Sequence, residues 1–224
     1  MALKAVIIGA SGGIGAALAE QLAAEGADVT GLSRRTDPAL DLLDEASIAA
    51  AAAAIGPGLH LVIDATGFLH DDRFSPEKSF RQLDPAHMGH SFAVNATGPA
   101  LLMKHFLPLL GRGERAVFAT LSARVGSIAD NRIGGWTSYR AAKAALNQIM
   151  RNAAIELART HREAICVSLH PGTVATPLSG PFAKSGLDVQ TPEQSAERLL
   201  AVIAGLTPAQ TGGFFDHKGE AIPF

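Results

Sequence analysis

Lys4-Ala-Val-Ile-Ile8 runs straight into Gly9-Ala-Ser-Gly-Gly-Ile-Gly15, and this junction decides the fold. The first five residues, ending in three β-branched side chains, read as a buried strand. The glycines follow with the spacing G-x-x-x-G-x-G, and the alanine-rich stretch from Gly13 to Glu25 reads as a helix. Glycine is required where a side chain would block a close approach of backbone. A helix that starts at such a turn points unpaired amides outward, which makes a seat for phosphate. Gly9, Ser11, Gly13, Ile14 and Gly15 are therefore candidate contacts to a dinucleotide pyrophosphate.

Beyond the junction, short apolar strands alternate with helices. Strands are expected at 28–32, 59–65, 116–121, 164–170 and 212–216. Helices are expected at 45–55, 90–110, 139–160 and 194–204, with Pro99 a kink or break in the second and Thr191-Pro192 a start for the last. Near-continuously apolar strands separated by helices imply a parallel sheet covered on both faces. Two irregular stretches, 68–85 and 171–190, each follow the carboxyl end of a strand. Ligands of such sheets bind beyond those ends, so both stretches are candidates for the rim of a site.

With 224 residues, 47% of them hydrophobic, the chain is long enough for one α/β domain spanning 1–224. A net charge of −2 supplies no basic field, so a nucleic-acid partner is not expected. Cys166 is the only cysteine, which rules out an intramolecular disulfide. It lies in an apparent strand and reads as a small core residue. No apolar run approaches the length of a membrane helix, and a cytoplasmic protein without membrane partners is the expectation. His87 and His90 are three residues apart, but no further ligand stands at diagnostic spacing, so no metal site is expected.

The end of the second strand selects the nucleotide. An acidic residue there holds the ribose hydroxyls of NAD. This chain has Ser33-Arg34-Arg35 instead. Guanidinium groups bind a 2′-phosphate that a carboxylate would repel, so NADP is favoured over NAD. Asp41-Leu42 are placed to approach the adenine edge, or to form an ordinary turn. Ala65 and Gly67 leave backbone room beside a cofactor. Pro171, Gly172, Val174 and Thr176 follow the fifth strand, where Thr173 and Thr176 either reach the cofactor or cap a loop.

Tyr139-Arg-Ala-Ala-Lys143 places a phenol and an ammonium four residues apart on one helix face. A nearby ammonium favours phenolate and lowers the tyrosine pKa, suiting the phenol to acid/base work. Trp136, Phe182 and Leu187 are candidate linings of an apolar substrate cleft. His170 ends the fifth strand near the same place.

As an ordered set, Gly9–Gly15, Asn95, Tyr139–Lys143, Pro171-Gly-Thr-Val-Ala-Thr176 and Gly212-Gly-Phe-Phe-Asp216 resemble the short-chain dehydrogenase/reductase family. The likeness is strongest to its C-factor-like and carbonyl-reductase-like members and covers the whole chain. It implies a doubly wound, predominantly parallel sheet in a Rossmann-like three-layer α/β sandwich. It implies Tyr139 as catalytic acid/base, Lys143 as the partner that lowers its pKa and holds the nicotinamide ribose, and Asn95 as the residue that orders a relay water. It also implies a homodimer or homotetramer built on the long helices, and an NADPH-dependent reduction of a small carbonyl substrate to an alcohol. Two departures stand out. Asp64 replaces an asparagine after the third strand. In Ser122-Ala-Arg-Val-Gly126, Ala123 occupies the slot of the serine that polarises the carbonyl, leaving Ser122 as its substitute if it shifts and Ser138 as a weaker one. Two alternatives stay open: an NADP-binding regulatory or signalling protein with weak or no turnover, and an NAD-dependent alcohol dehydrogenase.

Overall fold

The computed structural model describes residues 2–182 and 188–224. Eight strands and six α-helices follow one another as β1 (Lys4–Ile8), α1 (Gly13–Ala24), β2 (Asp28–Leu32), α2 (Glu45–Ile55), β3 (Leu61–Asp64), α3 (Pro85–Phe92), α4 (Gly98–Phe106), β4 (Ala116–Leu121), α5 (Thr137–Leu157), β5 (Ala164–His170), β6 (Thr173–Val174), β7 (Val189–Gln190), α6 (Pro192–Gly205) and β8 (Phe214–Asp216). Six strands form one sheet in the order β2-β1-β3-β4-β5-β8, and every pair in it is parallel. Order reverses between β1 and β3, which opens a crevice at their carboxyl ends.

Successive strand residues point to opposite faces. Val6, Ile8, Val62 and Phe118 pack with Ile48 of α2, Phe106 of α4 and Leu146 of α5. Ile7, Ile63, Val117 and Ile165 pack on the other face with Leu18 of α1 and Leu199 of α6. The expected three-layer sandwich is therefore present. Cys166 is fully buried inside it, where burial pushes its thiol up to about 12 and leaves it a core residue.

The expected helix over 90–110 is interrupted. Between α3 and α4 the chain makes a π turn over Ala93–Thr97, in which the Gly98 amide donates to the Ala93 carbonyl five residues back. Proline four residues after Asn95 has no amide to give the Asn95 carbonyl, and its ring crowds that carbonyl. The widened turn before Pro99 accommodates both effects. The third strand is shorter than expected, because Leu59 only bridges Leu110 and Ala65 already turns away. α5 starts two residues before Tyr139 and ends at Leu157. Thr191 caps α6 as expected, exchanging hydrogen bonds with Gln194. The stretch 171–190 contains a two-stranded parallel pair, β6 with β7, that sequence patterning did not disclose.

Candidate active site

The glycine turn forms a cradle that side chains would fill. Gly9 has φ +85°, and its amide donates to the Leu32 carbonyl at 2.8 Å. A methyl group on Gly15 would overlap the Gly9 carbonyl oxygen. One on Gly13 would meet Thr176 at 3.1 Å, which brings the loop after β5 against the turn. Ser11 lies exposed on the turn, and Ile14 packs against the core beneath it. Helix α1 has no side-chain cap at Gly12, so its first amides face the cradle. The residues present therefore fit a pyrophosphate.

At the end of β2, Ser33 is buried and accepts the Arg35 amide at 3.1 Å, while its own amide donates to Thr36 Oγ1 at 2.8 Å. Both guanidinium groups, Arg34 and Arg35, are exposed, and among the described residues neither is in an ion pair. Asp41 turns its carboxylate to the Leu43 amide at 3.0 Å. Leu42 packs so tightly on α4 that a methyl on Gly98 would meet its Cβ at 2.9 Å. Pro171 is held through its carbonyl, which accepts from Gln190 Nε2 at 3.2 Å and Ser195 Oγ at 3.3 Å. Gly172 has φ +80°, Val174 is buried in β6, and Thr176 shares a 3.1 Å hydrogen bond with Ser179.

The chemical groups gather at the same carboxyl edge. Lys143 is 2% exposed and donates from Nζ to the Leu121 carbonyl, at the end of β4, at 2.8 Å. Its Nζ lies 5.9 Å from the centroid of the Tyr139 ring. Gly67 stands between Lys143 and Asn95: a methyl there would lie 3.9 Å from the first and 3.6 Å from the second. Asn95, on the π turn, is fully buried and clamps the backbone of Phe68, accepting its amide at 2.9 Å and donating to its carbonyl at 2.8 Å. That pairing gives the buried asparagine its partners and fixes the loop after β3 beside Lys143.

Burial sets the protonation of the helix pair. Burial pulls the Lys143 ammonium from its ordinary 10.5 down to about 8, although the Asp64 carboxylate opposes the shift. The same burial pushes the Tyr139 phenol up rather than down. Desolvation disfavours phenolate, and the ammonium is turned to a carbonyl rather than to the phenol oxygen. In the protein alone Tyr139 is therefore a protonated phenol. Ser122 is buried and turned to α5. Its hydroxyl proton goes to Asn147 Oδ1 at 2.8 Å, which ties β4 to α5. Ser138 is engaged too, donating its hydroxyl proton to the buried Glu77. Asn147 and Glu77 carry no motif, and only the fold brings them to these serines.

Asp64 is buried and keeps structural bonds. It accepts Thr66 N at 3.0 Å, Thr66 Oγ1 at 2.5 Å and Thr120 Oγ1 at 2.7 Å. Burial raises its pKa against those bonds and the Lys143 charge. The Trp136 ring stands edge-on to Tyr139 at 6.3 Å and to Phe182 at 5.3 Å, and His70 meets Phe182 at 5.2 Å, so an aromatic row flanks the phenol. Leu187 lies outside the described residues. His170, at the end of β5, is pulled down to about 4, first by burial and then by Arg124 and His217. It is neutral at physiological pH. His87 stacks on Phe74, and His90 meets Phe68 edge-on at 4.5 Å, so both rings serve packing. Among the described residues no helix is long and apolar enough to cross a membrane.

Comparison with known proteins agrees with this arrangement. A family model described as enoyl-(acyl carrier protein) reductase matches residues 38–199, and one described as short chain dehydrogenase matches residues 4–55. The chain is 37% identical to the C-signal protein of Myxococcus xanthus over 142 residues, 63% of this chain and 81% of that one. It is 32% identical to 1-hydroxy-2-glutathionyl-2-methyl-3-butene dehydrogenase of Rhodococcus sp. (strain AD45), with 95% of each chain covered. The NADPH-bound carbonyl reductase from chicken fatty liver superposes with a TM-score of 0.86 at 25% identity, covering 100% of both chains. With a family model matched over residues 38–199 and a 32% identical relative covered over 95% of each chain, the chain belongs to the short-chain dehydrogenase/reductase family, in its carbonyl-reductase-like branch.

Proposed function

We propose that the protein is an NADPH-dependent reductase that converts a small carbonyl compound to its alcohol, reversibly. One observation carries the reading: Tyr139 and Lys143 lie one helical turn apart at the same sheet edge as the glycine cradle, with Gly67 leaving open backbone between Lys143 and Asn95. Gly9, Ser11, Gly13, Ile14 and Gly15 would hold the pyrophosphate, with Ser33, Arg34 and Arg35 on the 2′-phosphate and Asp41 and Leu42 at the adenine. Ala65, Gly67, Lys143, Pro171, Gly172, Val174 and Thr176 would line the nicotinamide half.

When bound, the reduced nicotinamide supplies hydride to the carbonyl carbon. Tyr139 gives its phenol proton to the carbonyl oxygen as negative charge develops there. A phenol kept protonated by burial suits this direction, because an alkoxide is the stronger base. Lys143, charged below about pH 8, stabilises the phenolate left behind. Asn95 holds the loop after β3 in place, and the family resemblance implies that it also orders a relay water. The aromatic row of Trp136, Phe182 and His70 favours a substrate with apolar or aromatic surface beside the reacting carbonyl.

The deciding experiment is Tyr139→Phe, assayed with NADPH and 9,10-phenanthrenequinone. Removing the proton donor should lower kcat by a factor of about 100 to 10,000. NADPH affinity, followed by fluorescence titration, should hold within about twofold because the phenol is remote from the phosphate cradle. Unchanged turnover in a folded variant refutes the assignment.

A second reading, a nucleotide-binding protein with weak turnover, draws support from Ala123 and from the likeness to the C-signal protein. NADPH binding without reduction across a broad carbonyl panel would select it. NAD-dependent alcohol oxidation is disfavoured by Ser33-Arg34-Arg35. The reading extends to a reducing cytoplasm, in keeping with the free buried Cys166, and to pairing of copies through α5, where Ile155 is half exposed.

A further inference from the structure

A helix start leaves its first amides without acceptors inside the helix. Ser, Thr, Asp or Asn usually supplies one from the residue just outside. At the start of α5 that residue is Trp136, in a left-handed conformation (φ 51°, ψ 40°), with no side-chain acceptor to offer. The acceptor comes instead from 61 residues upstream, from the loop between β3 and α3. Glu77 is buried there. One carboxyl oxygen accepts the Ser138 amide at 3.2 Å, the other accepts the Ser138 hydroxyl, and the Glu77 backbone carbonyl accepts the Trp136 amide at 2.5 Å. The His87 ring, stacked on Phe74, lies beside the carboxyl group with Nδ1 at 3.6 Å. From Ser138 the chain of contacts continues: its carbonyl accepts Ser91 Oγ at 3.3 Å, and Ser91 Oγ accepts Asn95 Nδ2 at 3.3 Å.

We propose that Glu77 is a positioning residue, a helix cap delivered across the fold that sets the first turn of α5 and so the placement of the Tyr139 phenol. The inference rests on the reductase reading for its effect on turnover, but not for its effect on the helix. Tyr139 is the third residue of α5 and sits in the turn that frays when the cap is lost. Lys143 lies one turn deeper, anchored on Leu121, and the glycine cradle belongs to another element. Removing the cap should therefore disturb the proton donor selectively. It should also uncouple that donor from the 68–85 loop, which supplies the cap.

The test compares Glu77→Ala and Glu77→Gln with the parent protein. Losing the cap should speed hydrogen exchange of the Ser138 and Tyr139 amides by about tenfold. It should lower kcat for 9,10-phenanthrenequinone by about tenfold or more through misplacement of the phenol. NADPH affinity should stay within about twofold, because the cradle is untouched. Glu77→Gln should recover most of both losses, since its amide oxygen still accepts one bond and its amino group can donate to the Ser138 hydroxyl. Wild-type exchange in Glu77→Ala overturns the proposal. So does loss of NADPH affinity in step with turnover, or a glutamine variant as impaired as the alanine one. If the parent protein reduces no member of a broad carbonyl panel, the reductase reading falls while exchange still decides the cap. If Glu77→Ala does not fold, Ser138→Ala, which removes one of the three bonds, should show the same selective pattern at smaller size, and no change in exchange counts against the cap.

Discussion

Ala123 is where this chain departs most sharply in chemistry from the enzymes it resembles. The family resemblance implies a serine at this position, and Ser122 is bonded to Asn147 and Ser138 to Glu77. Ala123→Ser should raise kcat, by up to about a hundredfold if the new donor is well aligned. Steady-state kinetics with a quinone probe measures it, and an unchanged rate would mean that the oxyanion is stabilised elsewhere. Lys143 gives a second handle, with two readouts of opposite sign. Its folded-state pKa lies below its unfolded value, so its destabilising contribution is fully present below about pH 8. Between there and pH ~10.4 the unfolded chain binds the proton that the folded chain has lost, and stability rises with pH, by about 3 kcal/mol at most. Turnover should fall across pH 8 as the ammonium is lost. Denaturant melts and kcat profiles from pH 7 to 10 should show this divergence, and Lys143→Met should abolish the stability rise.

At the scale of elements, the β2 end and its arginine pair are separable from the rest of the cradle. Replacing both Arg34 and Arg35 with alanine should raise the NADPH KM by about 10- to 100-fold, the worth of one or two charge-assisted hydrogen bonds. The NADH KM should stay put, because NADH carries no 2′-phosphate. Equal losses for both nucleotides would place the arginines outside the specificity pocket. Element order was largely legible in the sequence, because β-branched runs, glycine stops and the Thr191-Pro192 start each act within a few residues. The interruption at 93–97 was half legible. Pro99 signalled a break, but the relief falls on the N-terminal side, in the turn whose carbonyl the proline ring crowds. The β6–β7 pair was not legible, since two residues carry no periodicity.

For the whole molecule, stability rests on two apolar layers, and damage to either should be felt throughout. Phe106→Ala, at a fully buried position under the sheet, should cost about 3–5 kcal/mol in urea unfolding. Ile128→Ser, at a position 76% exposed, should stay within about 0.5 kcal/mol. Similar losses for both would mean that Ile128 is covered in solution. The glycine turn and the Tyr139–Lys143 helix face are visible in the sequence because their spacing is local. The partners that place them could not, because Asn147, Glu77 and Thr120 meet their counterparts across 25, 61 and 56 residues, which only the closed fold brings together. The extra residue in the turn before Pro99 has a consequence for the whole assembly. Each residue advances a helix by roughly 100°, so one surplus residue shifts the angular phase between α3 and α4. Ser91 can thus look toward α5 while Leu102 and Phe106 look into the sheet, along what would otherwise be a single rod. The turn works as a clutch between two phases, and deleting one residue from it would force either the floor of the catalytic edge or the hydrophobic layer to rotate out of register.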